Sequence, residues 1–331
     1  VSSRWKELVE AGDLNGLLRA VNVLCGERAW DELLDLADAC EDAIERGKQL
    51  WPIAAHIDYR VALEAPAEIA ATVLSSDTSR FSLGPLTEVA ASSHTWTELA
   101  PHLETPQNAA YVAQERVLRG EELTGDERAR PEVLELPLRL ESWEPTYALA
   151  TYRADHVEVA EPWEPRAALV AVDVVAGDRV DDADLEEVLL GLVTPWTTES
   201  NGAARVAIVD GDAVAAASLL TYQRLRMGRL DAQEAIRAMA WAAASGGAHG
   251  RRRGAALGRS LSWYLLALMA GTSWPVSGDD LGAALADLTW FRWDEGDPEE
   301  GWVLRLAVQH ERDGWAAAIG ATDVLEDLSS D

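Results

Sequence analysis

The chain has 331 residues and carries 57 Asp and Glu against 28 Lys and Arg, for a formal net charge of −29. A charge of that sign and size repels nucleic acid and anionic membrane surfaces, so neither is an expected partner. A hydrophobic content of 48% argues against disorder over most of the length, and the length itself predicts two domains.

The opening, VSSRWKELVEAGDLNG, lacks a basic segment followed by an apolar run, so no leader is expected. Val1 fits a GTG start codon read literally, which would make it the native N-terminus. WDELLDLADACEDAIERG at 30–47 puts Leu33, Leu34, Ala37, Cys40, Ala43 and Ile44 on one helical stripe, with acids opposite. Gly47 is placed to end that helix in a left-handed cap. Pro52 suits the first turn of a second helix, and Pro66 opens a third. W-x-E-L recurs at Trp5, Trp30 and Trp96, each near a helix start, but at unequal intervals that support no solenoid period. Cys25 and Cys40 match no zinc spacing and read as small core residues in a reducing cytoplasm.

RGEELTGDERARPE at 119–132 is charged and poor in apolar residues, and marks a boundary near residue 125. Beyond it, WEPTYALATYR at 143–153, DHVEVAE at 155–161 and WEPRAALVAVDVV at 163–175 read as strands. A helix is predicted over 181–193, then a polar loop, PWTTESNG, and a buried strand over 204–209. Asp212 caps a helix written AVAAASLLTYQRL. Two more helices follow, LDAQEAIRAMAWAAA and AALGRSLSWYLLALMAG; the second is too short to span a bilayer. TWFRW and WVLRLAVQ form a hairpin around DEGDPEEG, and WAAAIGATDVL reads as a last helix running into an acidic tail. The expected fold is α+β: an antiparallel helical region over 1–125, then an α+β region over 126–331 with a mainly antiparallel sheet.

From Ala235 to Ser277 there is no acid, while Arg237, Arg251, Arg252, Arg253 and Arg259 fall in that window. The centre of this basic island is SGGAHGRRRG at 245–254. Arginine offers a planar five-donor fork, glycine permits close backbone approach, and a helix starting near Gly254 would direct its first amides at the loop. Ser245, Gly246, Gly247, His249, Gly250, Arg251, Arg252, Arg253 and Arg259 are therefore the candidate anion-binding residues, with Arg259 reaching back from the helix and His249 as a proton carrier. Against this stands a simpler view, in which the glycines turn a corner between helices and the arginines pair with the protein's own carboxylates. The Walker spacing is absent.

Other constellations are thinner. His56 and Asp58 sit two apart on a helix and do not share a face. Trp290, Trp293 and Trp302 offer either a sugar-stacking platform or the buried face of a hairpin. No G-x-S-x-G, H-E-x-x-H, dinucleotide fingerprint or calcium loop is present, so no catalytic residue, metal or cofactor is predicted.

PWTTESNGAARVAIVDGD, AWAAASGGAHGRRRGAALGR and EGWVLRLAV together resemble a family of uncharacterised high-GC bacterial proteins, a domain of unknown function. The resemblance covers roughly residues 190–325, with LWPIAAHIDYRVALEAP in the helical part. It implies no activity, ligand or catalytic residue. The expectation is a cytoplasmic, non-enzymatic interaction or regulatory protein, with another protein or a second copy of the chain as partner. The alternative is an enzyme or sensor for a small phosphorylated or carboxylated molecule.

Overall fold

The computed structural model describes residues 3–75, 82–158, 167–221, 224–296 and 300–324. The chain forms two compact units, one made of Val1–Val133 and Ala150–Glu158, the other of Leu134–Leu149 and Val159–Asp331.

The first unit is helical. α1 (Ser3–Ala11), α2 (Leu14–Glu27), α3 (Trp30–Glu45) and α4 (Trp51–Glu64) follow one another through short connections that fold consecutive helices back on each other. Gly47, with φ of 90°, donates to the Ile44 carbonyl at 2.8 Å and stops α3 as its position predicts. Leu33, Leu36, Ala37, Cys40 and Ala43 form the buried stripe of α3, while Leu34 and Ile44 lie half-buried at its edge. α4 opens on Pro52 and is buried on nearly every side, so it forms the centre of the unit. α5 (Ala67–Ala70), α6 (Leu86–Ser93), α7 (Trp96–Leu99), α8 (Pro106–Leu118) and α9 (Pro131–Leu134) complete the helices, with α6 packed on both α4 and α8. At the third W-x-E-L, Glu98 accepts from the Thr95 amide and hydroxyl, each at 2.8 Å, in a capping box.

A short hairpin, β1 (Thr151–Tyr152) and β2 (Val157–Glu158), belongs to this unit. The Tyr152 hydroxyl donates to the fully buried Glu88 carboxylate at 2.8 Å, and the Tyr59 hydroxyl donates to the Arg153 carbonyl. The strand read over 143–153 is thus confined to two residues. That over 155–161 is confined to Val157–Glu158 within the described residues; 159–161 lie outside them.

The second unit is built on an antiparallel sheet of six strands in the order β3-β5-β6-β7-β8-β4: β3 (Val170–Val172), β4 (Ala203–Asp210), β5 (Leu225–Leu230), β6 (Leu288–Asp294), β7 (Trp302–His310) and β8 (Trp315–Asp323). α10 (Ala183–Gly191), α13 (Ala232–Ala244) and α14 (Ala255–Met269) belong to the large core on one face, and α12 (Ala213–Ser218) covers part of the other. α11 (Thr194–Thr198) and α15 (Gly278–Ala284) are short. The fold is α+β, with the helical region first. Among the described residues no helix is long and apolar enough to cross a membrane.

Four local readings change. WAAAIGATDVL is not a helix: Trp315–Asp323 is β8, paired with β4 on one side and β7 on the other. Ala316, Ala317 and Ala318 are all buried, because a strand covered on both faces leaves little depth for side chains. A Cβ on Gly320 would fall 2.8 Å from the Trp293 ring, whose Nε1 donates to the Leu306 and Ile319 carbonyls at 3.2 Å. The helix capped by Asp212, read as far as Leu225, stops at Ser218; Leu225–Leu230 is the strand β5, and 222–223 lie outside the described residues. Of the strand read over 163–175, Val170–Val172 joins the sheet as its edge, while 163–166 lie outside the described residues. Trp290 and Trp293 are buried in opposite faces of the sheet, so they form no stacking platform.

Candidate functional site

The Gly/Arg loop connects α13 to α14, which begins just after Gly254 as its composition predicts. α13 and α14 pack closely because Gly258 has no side chain; a Cβ there would strike the Ala240 carbonyl. Ser245 caps α13, and its Oγ accepts from the Gly247 amide at 3.0 Å. Gly247 has φ of 72°, and a Cβ there would collide with the Asp323 carboxylate and crowd the Trp196 ring. Gly246 and Gly250 let the loop cross itself: a side chain on Gly246 would run into the carbonyl of Gly250. The Arg253 amide donates to the Ala244 carbonyl at 2.8 Å and closes the turn.

The loop grips carboxylates, and they are the protein's own. Asp323, at the end of β8 and 1% exposed, accepts from the Ala248 amide at 2.6 Å and from the Ser200 hydroxyl at 3.0 Å. The His249 amide donates to the same Ser200 Oγ at 3.2 Å. The Arg251 amide donates to Glu199 at 3.1 Å, and the Arg251 guanidinium lies 4.0 Å from that carboxylate. Glu199 and Ser200 come from PWTTESNG, whose first part is the helix α11, not loop throughout. The two polar segments singled out in the sequence therefore meet in space. Asp323 could not be found from the sequence, because β8 was read there as a helix leading into an acidic tail, of which 325–331 lie outside the described residues.

The arginines separate. Arg251 is exposed; Arg252 and Arg253 are half-buried, and Arg253 also donates to the Gly191 carbonyl at 3.2 Å. Arg259 does not reach back to the loop. It is fully buried and donates to both Glu144 oxygens at 2.6 and 2.8 Å, to the Pro137 carbonyl at 3.0 Å and to the Arg139 carbonyl at 2.8 Å. Glu144 also accepts from Trp263 Nε1 at 2.9 Å and from the Tyr147 hydroxyl at 2.5 Å. Burial acts to raise the Glu144 carboxyl, but the Arg259 guanidinium outweighs it and holds the group below its ordinary range. The same burial drives the Tyr147 hydroxyl well above its usual value. This network ties Leu134–Leu149 into the second unit.

The histidines are dispersed. His56 stacks on Tyr59, and burial followed by the nearby Arg60 lowers its pKa. His310 is buried against Trp315, and its Nδ1 accepts from the Asp313 amide at 3.2 Å. Among the described residues no group of three or more His, Cys, Asp or Glu could hold a metal ion.

Two clefts carry a different chemistry. In the first unit, a groove of about 700 Å³ is lined on the α3 side by Leu34, Ala37, Asp38, Glu41, Ile44 and Glu45, and opposite by Trp51, Asp58 and Val73. These α3 positions recur at helical spacing, so apolar and acidic side chains alternate along one stripe. In the second unit, a cleft of about 270 Å³ lies among the start of α10, the ends of β4 and α14, and Trp315.

No curated protein and no solved structure matches the chain. A family model does, over residues 15–324, and its description is "Family of unknown function (DUF6183)". It spans both units, and the chain belongs to that family of unknown function.

Proposed function

We propose that this is a non-enzymatic interaction or regulatory protein of the bacterial cytoplasm, and that its first unit receives a basic partner segment. The observation that carries the reading is α3. Its seven acids are all exposed, it contains no Lys or Arg, and three of those acids border the groove whose floor includes Leu34, Ile44 and Trp51. A groove with an apolar floor and an acidic wall complements an amphipathic segment bearing Lys or Arg. Two free, buried cysteines accord with a reducing compartment.

The test is binding of a fluorescent amphipathic peptide of lysine and leucine, with a glutamate–leucine peptide as control. The Lys/Leu peptide binds the native protein, weakens as salt is raised to about 0.5 M, and loses affinity by about tenfold or more in Asp38→Lys/Glu45→Lys. Equal binding of the two peptides, or an unchanged affinity in the variant, refutes the reading.

One observation favours a second reading: the exposed Arg251 guanidinium beside Glu199. A small phosphorylated or carboxylated molecule would replace Glu199 at the Arg251 amide. At about one hundred times its dissociation constant such a ligand stabilises the native state by roughly 2.7 kcal/mol. That shift would be absent from a variant with Arg251, Arg252 and Arg253 changed to Ala.

A further inference from the structure

The cleft of the second unit points to a ligand unlike either of those. Asp210 and Trp315 are register partners at the end of the β4–β8 ladder, on the face that also carries Ile208 and Ala317. Strand alternation therefore sets a carboxylate beside an indole at the cleft mouth. The Asp210 side chain makes no hydrogen bond or ion pair among the described residues. Leu185, Ile208, Leu268 and Met269 supply apolar walls.

The charges around the cleft are mostly of one sign. Asp182 lines it while capping α10 at the Leu185 amide, 3.0 Å away, so its charge already offsets the positive end of that helix. α14, 15 residues long, brings its negative end to the cleft through Leu268 and Met269. Asp313 also lines it, 3.7 Å from Arg312 Nε, so part of its charge is met. The acids are not gathered as metal ligands, since among the described residues no group could hold a metal ion. A cavity near 270 Å³ with an aromatic wall instead suits a cationic group on a short apolar body.

We propose that this cleft binds a small organic cation, a primary amine or guanidinium, with its charge between Asp210 and the face of Trp315 and its apolar part against Ile208, Leu268 and Met269. The site lies in the second unit and does not depend on the α3 groove.

The experiment is a ligand-observed NMR titration of the full chain with n-butylguanidine and n-butylamine, against n-butanol and butyrate of the same reach. The two cations bind at least about tenfold more tightly than the alcohol, and butyrate does not bind. Asp210→Asn loses about tenfold or more, and Asp210→Lys, which puts an ammonium of the protein's own at the mouth, abolishes binding. Asp173→Asn, an exposed acid outside the cleft, changes nothing. Unfolding midpoints of the variants certify their fold. Equal binding of alcohol and amine, an undiminished affinity in Asp210→Asn, or no binding of either cation overturns the proposal.

Discussion

Removing Glu144 should be the most damaging single change in the second unit. Glu144→Ala leaves the fully buried Arg259 guanidinium with only its two carbonyl acceptors among the bonds described above, and strips Trp263 Nε1 and the Tyr147 hydroxyl of their acceptor. Breaking a buried pair from one side costs about 3–5 kcal/mol, because a charge is left in a medium that cannot solvate it. For a unit of about 190 residues, each kcal/mol moves the midpoint by roughly 2–4 °C, so the expected fall is about 6–20 °C. The assay is calorimetry with near-UV circular dichroism, on Glu144→Ala, Arg259→Ala and the double variant. If the pair is formed, the double variant is far less destabilised than the sum of the singles, since each single already forfeits the interaction. Acid adds a check on the sign. The Glu144 carboxyl is depressed in the fold, so its contribution is complete above its ordinary value of 4.5 and is lost as the pH falls through the lower folded value. Glu144→Ala should erase that part of the acid dependence. Additive single effects, or a cost for Glu144→Ala below about 1 kcal/mol, would mean that the pair is not held as described.

The remaining expectations are simpler. Asp323→Ala should free the Ala248 amide and Ser200 hydroxyl at a cost of about 1–3 kcal/mol, with hydrogen exchange accelerating first at residues 246–251; unchanged protection there refutes the clasp. Gly320→Ala should drive a methyl into the Trp293 ring and destabilise by about 1–3 kcal/mol, read as a shift in denaturant midpoint; a neutral result would show that the ring can yield. Burial pushes the thiols of Cys25 and Cys40 up to about 11 and about 12, so neither should react with a thiol reagent at about pH 8 until the chain unfolds. Rapid labelling of the folded protein would contradict their placement.

Punctuation was legible in the sequence: Gly47 as a helix stop, Pro52 in a first turn, Asp212 as a cap, and Gly254 at the start of α14. Each acts within a few residues of itself. What was hidden depends on distant partners. The alanines of β8 favour a helix in isolation, and only two flanking strands with cover on both faces make them a strand. The Gly/Arg loop was visible as an anion-seeking segment, but the two carboxylates it holds are 52 residues before it, at Glu199, and 75 residues after it, at Asp323. Arg259 was grouped with the loop by proximity in sequence. Its true partner, Glu144, is 115 residues away in a stretch read as strand.

The three crossings of the chain between its units, after Val133, Leu149 and Glu158, have a consequence for inheritance. No single recombination breakpoint can hand one unit to another gene intact. A break anywhere between residues 144 and 152 parts Glu144 from Arg259 if the C-terminal piece travels, and parts Tyr152 from Glu88 if the N-terminal piece does. Shuffling would therefore yield two damaged products instead of two transferable modules. Intact transfer would need both units to travel as one piece, and the family's match, from residue 15 to residue 324, takes in parts of both.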